Sequence, residues 1–256
     1  MSPWAALNSL RIGCVQYLNA RPLIYGYDGP VVFDHPSALA RDIARGGLDA
    51  GLVPIFEALR ARDYTVADGV AIACDGPVYS VFLAYRGPLE KIRTVALDPG
   101  SLTSVHLLQV LLAEYHGLRP FYGQTGEADA LLLIGNQAID FRLANPGTHQ
   151  FLDLGEEWKR CTGLPFVFAV WLLRPDLENL GAIGDAFRAL QRHGLAHIAE
   201  IVASETFHDA EFRHRYLTSY IRFQLGAAEK EAIEKFRALL SKHGFIAADI
   251  DGLQYV

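Results

Sequence analysis

The sequence predicts an α/β protein of two lobes with a ligand cleft between them. Three observations carry this. Short apolar runs alternate with helical stretches up to about residue 175, the β-α-β-α-β grammar of parallel sheets covered by helices. Two apolar runs, Val78–Tyr85 and Phe166–Leu173, stand where the chain leaves a first lobe and returns to it. Everything after Pro175 reads as helix, which suits the outer layer of the first lobe.

The elements follow in order. Arg11–Tyr17 is a short apolar run bounded by turn chemistry, hence a buried strand, and Val31–Phe33 is a second. His35-Pro36-Ser37 opens a helix whose apolar side carries Leu39 and Ile43, with Leu48 behind them. Asp49–Val53 is a strand cut off by Pro54, and a short helix runs on to Leu59. Ala67–Ala73 and Val78–Tyr85 are strands separated by Cys74-Asp75-Gly76-Pro77. A second unit begins near Arg86 with a strand at Thr94–Leu97 and the turn Asp98-Pro99-Gly100-Ser101. A helix then runs from Thr103 to His116, with Val105, Leu108, Leu112 and Tyr115 at helical spacing. Pro120–Tyr122 is an edge strand, and Ala130–Ile134 is a continuous apolar run of the kind buried on both faces. A helix from Asn136, a strand at Gln150–Leu152 and a helix over Glu156–Cys161 complete this unit. Helices are expected over Leu177–His193, Leu195–Ser204, Asp209–Tyr220 and Ala227–His243. This assigns residues 1–84 and 170–256 to the first lobe and 85–169 to the second.

Composition narrows the function. Of 256 residues, 51% are hydrophobic and 20% charged, which excludes a disordered chain. No apolar run reaches the roughly 20 residues of a membrane span, and the first residues lack the basic and apolar regions of a secretory leader. Three widely spaced cysteines, Cys14, Cys74 and Cys161, form no CxxC pair, so neither a disulfide framework nor a zinc site is expected, and a reducing cytoplasm is. With 23 Lys+Arg against 29 Asp+Glu and no basic stripe, nucleic acid is a poor partner.

Strand-to-helix junctions are where chemistry is sought. Asp98–Ser104 is dense in hydroxyls (Ser101, Thr103, Ser104) and contains Gly100. Free N–H groups at a helix start beside such hydroxyls make an anion site, and the alternative is N-capping by Ser101 or Thr103. Ser37 repeats the theme at its own helix start. Asn19 follows the first strand at its carboxyl end, where open parallel sheets bind ligands; the alternative is a helix cap with Pro22 in the first turn. Ser80 faces either the cleft or the core. His35 and His106 are the histidines placed to face a cleft, but nothing pairs them with an acid, and the nine histidines show no metal spacing. No P-loop, GxGxxG, GxSxG or Cys–His nucleophile pattern is present. From the residues alone the chain is a two-lobed binder of a small anion.

Five segments go further: RIGCVQYLNARPL (Arg11–Leu23), CDGPVYS (Cys74–Ser80), SLTSVHLLQVLL (Ser101–Leu112), ADALLLIGNQAI (Ala128–Ile139) and DLGEEWKRCTGLPFVFAVW (Asp153–Trp171). Together they resemble the chorismate dehydratase family of the futalosine route to menaquinone, in order and over essentially the whole chain. The resemblance implies a type II periplasmic-binding-protein-like fold, chorismate as the small-molecule substrate, and conversion to 3-[(1-carboxyvinyl)oxy]benzoate and water without a cofactor or metal. It implies catalytic roles for Asn19 and Ser80, and substrate binding by Ser37, Ser101, Thr103, Ser104 and Asn136. Asn136 stands where the family commonly has Asp, and the segment 123–127 is shorter than usual. The sister enzyme that releases a dihydroxynaphthoate carries a different N-terminal pattern from Tyr17-Leu18-Asn19. A non-catalytic solute-binding protein of the same fold is the other alternative.

Overall fold

The computed structural model describes residues 2–60, 63–98, 100–123, 128–248 and 252–256. Two mixed sheets form the two lobes. The first contains β1 (Ile12–Cys14), β2 (Val31–Phe33), β3 (Ala50–Pro54), β4 (Thr65–Cys74), β10 (Phe166–Leu173) and β11 (Gln254–Tyr255), in the order β11-β4-β10-β3-β1-β2. The second contains β5 (Val81–Tyr85), β6 (Thr94–Ala96), β7 (Phe121–Gly123), β8 (Ala130–Ile134) and β9 (Gln150–Asp153), in the order β7-β6-β8-β5-β9.

The parallel grammar holds where a helix connects the strands. β1 pairs in parallel with β2 and β3, and β6 with β7 and β8. Each sheet also takes one strand against the grain. β10 lies antiparallel between β3 and β4, and β5 lies antiparallel between β8 and β9. The two expected crossover strands therefore do not bridge the lobes: β5 belongs whole to the second sheet and β10 whole to the first. The chain changes sheet in the connections at 75–80 and 163–165, short of the expected 84/85 and 169/170. Those connections hold Gly76 at φ 126, Tyr79 at φ 67 and Gly163 at φ 74, turns that an extended strand cannot make.

The helices are α1 (Pro36–Ala44), α2 (Ile55–Arg60), α3 (Thr103–Tyr115), α4 (Gly135–Ala144), α5 (Leu154–Thr162), α6 (Leu180–Ala196), α7 (Ile198–Ser204), α8 (Ala210–Arg215) and α9 (Ala227–Lys242). Leu39, Ile43 and Leu48 are buried as expected of α1 and its exit. The buried side of α3 is Leu107, Leu108, Leu111 and Leu112, while Val105 and Tyr115 are only half-buried. β8 alternates instead of being sealed on both faces, because Leu131 and Leu133 are half-buried. The helix expected over 209–220 stops at Arg215 and continues as a π turn, Tyr216–Tyr220. β11 had no signal in the sequence. It is two residues long and joins the edge of β4 in parallel.

Aromatic packing fixes the lobes to each other. Phe236 of α9 packs edge-on against Trp158 of α5 (ring centroids 5.9 Å) and Phe166 of β10 (5.1 Å). The Trp158 indole N–H donates to the carbonyl of Pro165 at 2.9 Å, a buried bond that pins the return connection. These large rings give one side of the molecule a dry, continuous core.

Candidate active site

Past β1 the chain enters a 3₁₀ turn, Leu18–Leu23, with Asn19 in its first residues. The Asn19 side chain does not cap this turn, and its Oδ1 is buried without a hydrogen-bond partner among the described residues. Ser80 sits in the outward connection, buried to 1% exposure, with its hydroxyl 2.7 Å from the hydroxyl of Tyr216. The Asn19 side chain lies beside the same tyrosine hydroxyl. The two residues expected to carry the chemistry are thus joined through a third that the sequence did not mark. Burial pushes the Tyr216 phenol well above its ordinary value, so it is a neutral O–H.

Asn19 and Ser80 face a cavity between the lobes, shared with Ser101, Thr103 and Ser104. Val15, Leu52, Ile72 and Phe168 supply apolar walls. Its described lining includes no carboxylate, lysine, arginine or histidine. Arg21, next but one to Asn19, is instead tied to Glu205 at 2.6 Å. Among the described residues no group of acids, histidines and cysteines is arranged to hold a metal ion.

The start of α3 answers the capping question. Its N-cap is Leu102, and no side chain caps it, so neither Ser101 nor Thr103 performs that task. The first amides of α3 have no partner within the helix, and Thr103 and Ser104, its first two residues, line the cavity. Thr103 differs from its neighbours: its Oγ1 accepts from the Phe56 amide at 3.2 Å and donates to the Phe168 carbonyl at 3.3 Å. That hydroxyl is occupied in tying α3 to α2 and β10, which leaves Thr103 only its backbone for a ligand. Ser101 and Ser104 are buried, and their hydroxyls make no side-chain hydrogen bond among the described residues. Pro99 of the expected turn and residues 124–127 of the short segment lie outside the described residues.

Ser37 and Asn136 do not reach the inner cavity. They line a larger, more open one, which shares Tyr17, Gly100 and Ile134 with the first. Ser37 is the second residue of α1, whose N-cap is His35, and His35 lines this outer space too. Tyr17 stands between the cavities; burial, with Asp98 adding, raises its phenol pKa. Gly135 lies under the Tyr17 ring at φ +66, where an added Cβ would come within 3.0 Å of Cε1. His106 faces neither space. It stacks on Phe56 at 3.7 Å and donates its Nδ1–H to the Leu102 carbonyl at 2.8 Å, its pKa lowered chiefly by burial.

Asp153, the N-cap of α5, is the other residue the sequence did not mark. Its carboxylate accepts from the amides of Gly155 and Glu156 and, across the lobe, from those of Val78 (3.0 Å) and Tyr79 (2.7 Å). It thereby sets the backbone that presents Ser80. Burial raises its pKa in spite of those four donors and Arg142.

Two α/β lobes, two connections and a neutral polar cavity between them define the architecture of the periplasmic binding proteins. A protein of Candida albicans described as having the generic periplasmic binding protein fold superposes with a TM-score of 0.62 at 13% identity, over 96% of each chain. A family model described as menaquinone biosynthesis matches residues 10–242, and the chain belongs to that family. It is 30% identical to the chorismate dehydratase of Thermus thermophilus over 90% of this chain and 94% of that protein. To the 1,4-dihydroxy-6-naphtoate synthase of the same organism it is 27% identical over 66% of this chain and 64% of that protein.

Proposed function

We propose that the chain is a cytoplasmic hydro-lyase that converts chorismate to 3-[(1-carboxyvinyl)oxy]benzoate and water, a menaquinone step of the futalosine route. The observation that carries this is the chemistry of the inner cavity: hydroxyls, amides and one buried asparagine, with no ionised side chain on its described lining. The relatives agree, since the dehydratase matches over more of the chain than the naphthoate synthase does. Three cysteines without disulfides accord with the cytoplasm, and no helix among the described residues is long and apolar enough to cross a membrane.

The reaction removes the C3 proton and the C4 hydroxyl of chorismate. The C3–H electron pair becomes the third ring double bond, and the C4–O pair leaves with the oxygen. The proton and the hydroxide make up the water, so neither an oxidant nor a reductant is consumed. Aromatisation drives the step, and the protein's work is positioning and hydrogen bonding in a water-poor space. Ser101, Ser104 and the free amides of α3, those of Thr103 among them, hold the ring carboxylate. Asn19 orients the enolpyruvyl group, and Ser80 hydrogen-bonds the departing hydroxyl. With no protein base at hand, the substrate's own side-chain carboxylate takes the C3 proton. Ser37 and Asn136 line the approach.

Purified protein incubated with chorismate is expected to yield the aromatic ether, followed by absorbance and by mass. Recovery of unchanged chorismate refutes the reading and favours a binding protein. A chorismate analogue lacking the enolpyruvyl carboxylate is expected to resist turnover, and normal turnover of it removes the substrate-base step.

A further inference from the structure

We propose that Tyr216 is a positioning residue that sets the proton direction of Ser80, so that the serine hydroxyl donates into the cavity and not into the protein. The inference rests on the dehydratase reading. At 2.7 Å, the two hydroxyl oxygens share one hydrogen, and either could be its donor. The surroundings decide between them. Tyr216 is 1% exposed, and its hydroxyl has one hydrogen-bond partner among the described residues, the Ser80 hydroxyl, so the buried phenol finds no other acceptor for its proton. The tyrosine's proton then points to the Ser80 oxygen. Ser80's own proton has one other protein acceptor among the described residues, the Val78 carbonyl at 3.5 Å, too far for a strong bond. It is left for whatever occupies the cavity. Asn19 Oδ1, buried and unpartnered, stays open as an acceptor beside it.

The frame around this chain of donors is rigid. The Ser80 N–H donates to the Val78 carbonyl at 2.8 Å, and the Ser80 carbonyl accepts from the Gly135 amide at 2.8 Å, so the serine is clamped on both sides of its Cα. Tyr216 begins the π turn at the end of α8, a local widening of the kind found at functional sites. Burial keeps the phenol protonated throughout. In the reaction Ser80 stabilises the oxygen that leaves C4 by hydrogen bonding alone. No proton is lost from Ser80 or Tyr216, and the water is made from the C3 proton and the C4 hydroxide.

The test is a double-mutant cycle on the full chain, with kcat and KM measured on chorismate for wild type, Tyr216→Phe, Ser80→Ala and the double variant. Tyr216→Phe is expected to lower kcat about 10- to 100-fold, with KM within about twofold. In the Ser80→Ala background the same change is expected to cost less than about twofold. Wild-type kcat in Tyr216→Phe overturns the proposal, and so does an equal loss with and without Ser80. Where Tyr216→Phe folds poorly, 3-fluorotyrosine at 216 keeps the shape and strengthens the donor. It is expected to raise kcat in the wild-type background only, and a fall overturns the donor direction. A wild type inactive on chorismate is a separate result, which refutes the dehydratase reading and this inference with it.

Discussion

Asp153→Asn isolates the carboxylate that holds the outward connection in place. Oδ1 accepts from Val78, Gly155 and Glu156 at 3.0–3.1 Å, and Oδ2 accepts from Tyr79 at 2.7 Å with Arg142 3.7 Å away. An asparagine keeps one oxygen. If that oxygen serves the three amides, its NH₂ confronts the Tyr79 N–H and the Arg142 guanidinium. The loss is one charge-assisted hydrogen bond, about 1.5–3 kcal/mol, and a stranded N–H costs a further ~1–3 kcal/mol. Relief of the buried charge offsets part of this, leaving a net loss of about 2–3 kcal/mol. At roughly 2–4 °C per kcal/mol for a chain of this size, Tm falls by about 4–12 °C. Tyr79 is held at φ 67, a conformation that costs a non-glycine residue about 1–3 kcal/mol and persists because its N–H is anchored. Freed, it moves Ser80, the next residue, and kcat/KM drops at least about tenfold. Thermal unfolding by circular dichroism and steady-state kinetics on chorismate are the assays. A Tm within about 2 °C of wild type together with unchanged kcat/KM refutes the assigned role of Asp153.

Three other perturbations probe separate parts of the design. Asn19→Asp sets a carboxylate against the substrate's own; at ~4 Å and an effective dielectric constant of ~20 the repulsion is about 4 kcal/mol, so turnover falls on the order of 10³-fold with the fold retained. Wild-type rates in that variant remove Asn19 from the mechanism. Ser104→Ala is expected to raise KM about tenfold with little change in kcat, as loss of uniform binding requires, and an unchanged KM leaves the hydroxyl no ligand. Glu157 is held below its ordinary value of 4.5, first by the Arg160 hydrogen bond and also by His116. Its ionised form therefore adds stability that is complete above pH 4.5 and vanishes as pH falls through the lower folded-state value. The Tm gap between wild type and Glu157→Gln should close with acidification, and a gap that widens instead contradicts the assignment.

What could be read in the sequence was what local chemistry dictates. Continuous apolar runs of three to eight residues gave most of the strands, because a strand buried between helices needs little else. The hydroxyl cluster at Ser101–Ser104 and the placement of Asn19 were legible for the same reason, being tied to helix starts. The rest depends on long-range partners. β5 and β10 look like bridges until their pairing is known, and pairing carries no local signature. Tyr216 reads as one more aromatic on a helix, since its partner Ser80 is 136 residues away. Asp153 was half visible, in that Asp153-x-x-Glu156 is a helix-start pattern. Its grip on Val78 and Tyr79, 75 and 74 residues back, was not. Thr103 shows the converse error. It resembles its serine neighbours in sequence, yet its β-branched side chain spends its hydroxyl on Phe56 and Phe168.

The division between the two cavities separates the work of Asn136 from that of Asn19. One side of the lobe interface is riveted by Phe236 against Trp158 and Phe166, and by Glu114 of α3, which holds both Lys242 and His243 from the α9 end at 2.7 Å. On the proposed reading a ligand enters through the open space lined by Ser37, Asn136 and Gln137. An opening that admits substrate is then expected to pivot about these packed contacts and widen this mouth. A side chain at the mouth meets substrate on the way in and does not touch the reacting carbons. Asn136→Ala should then raise KM a few-fold while kcat stays within about twofold, the signature of binding that is equal in ground and transition states. A matched fall in kcat would instead place Asn136 against the reacting atoms, and the assignment of the inner cavity as the sole seat of chemistry would be wrong.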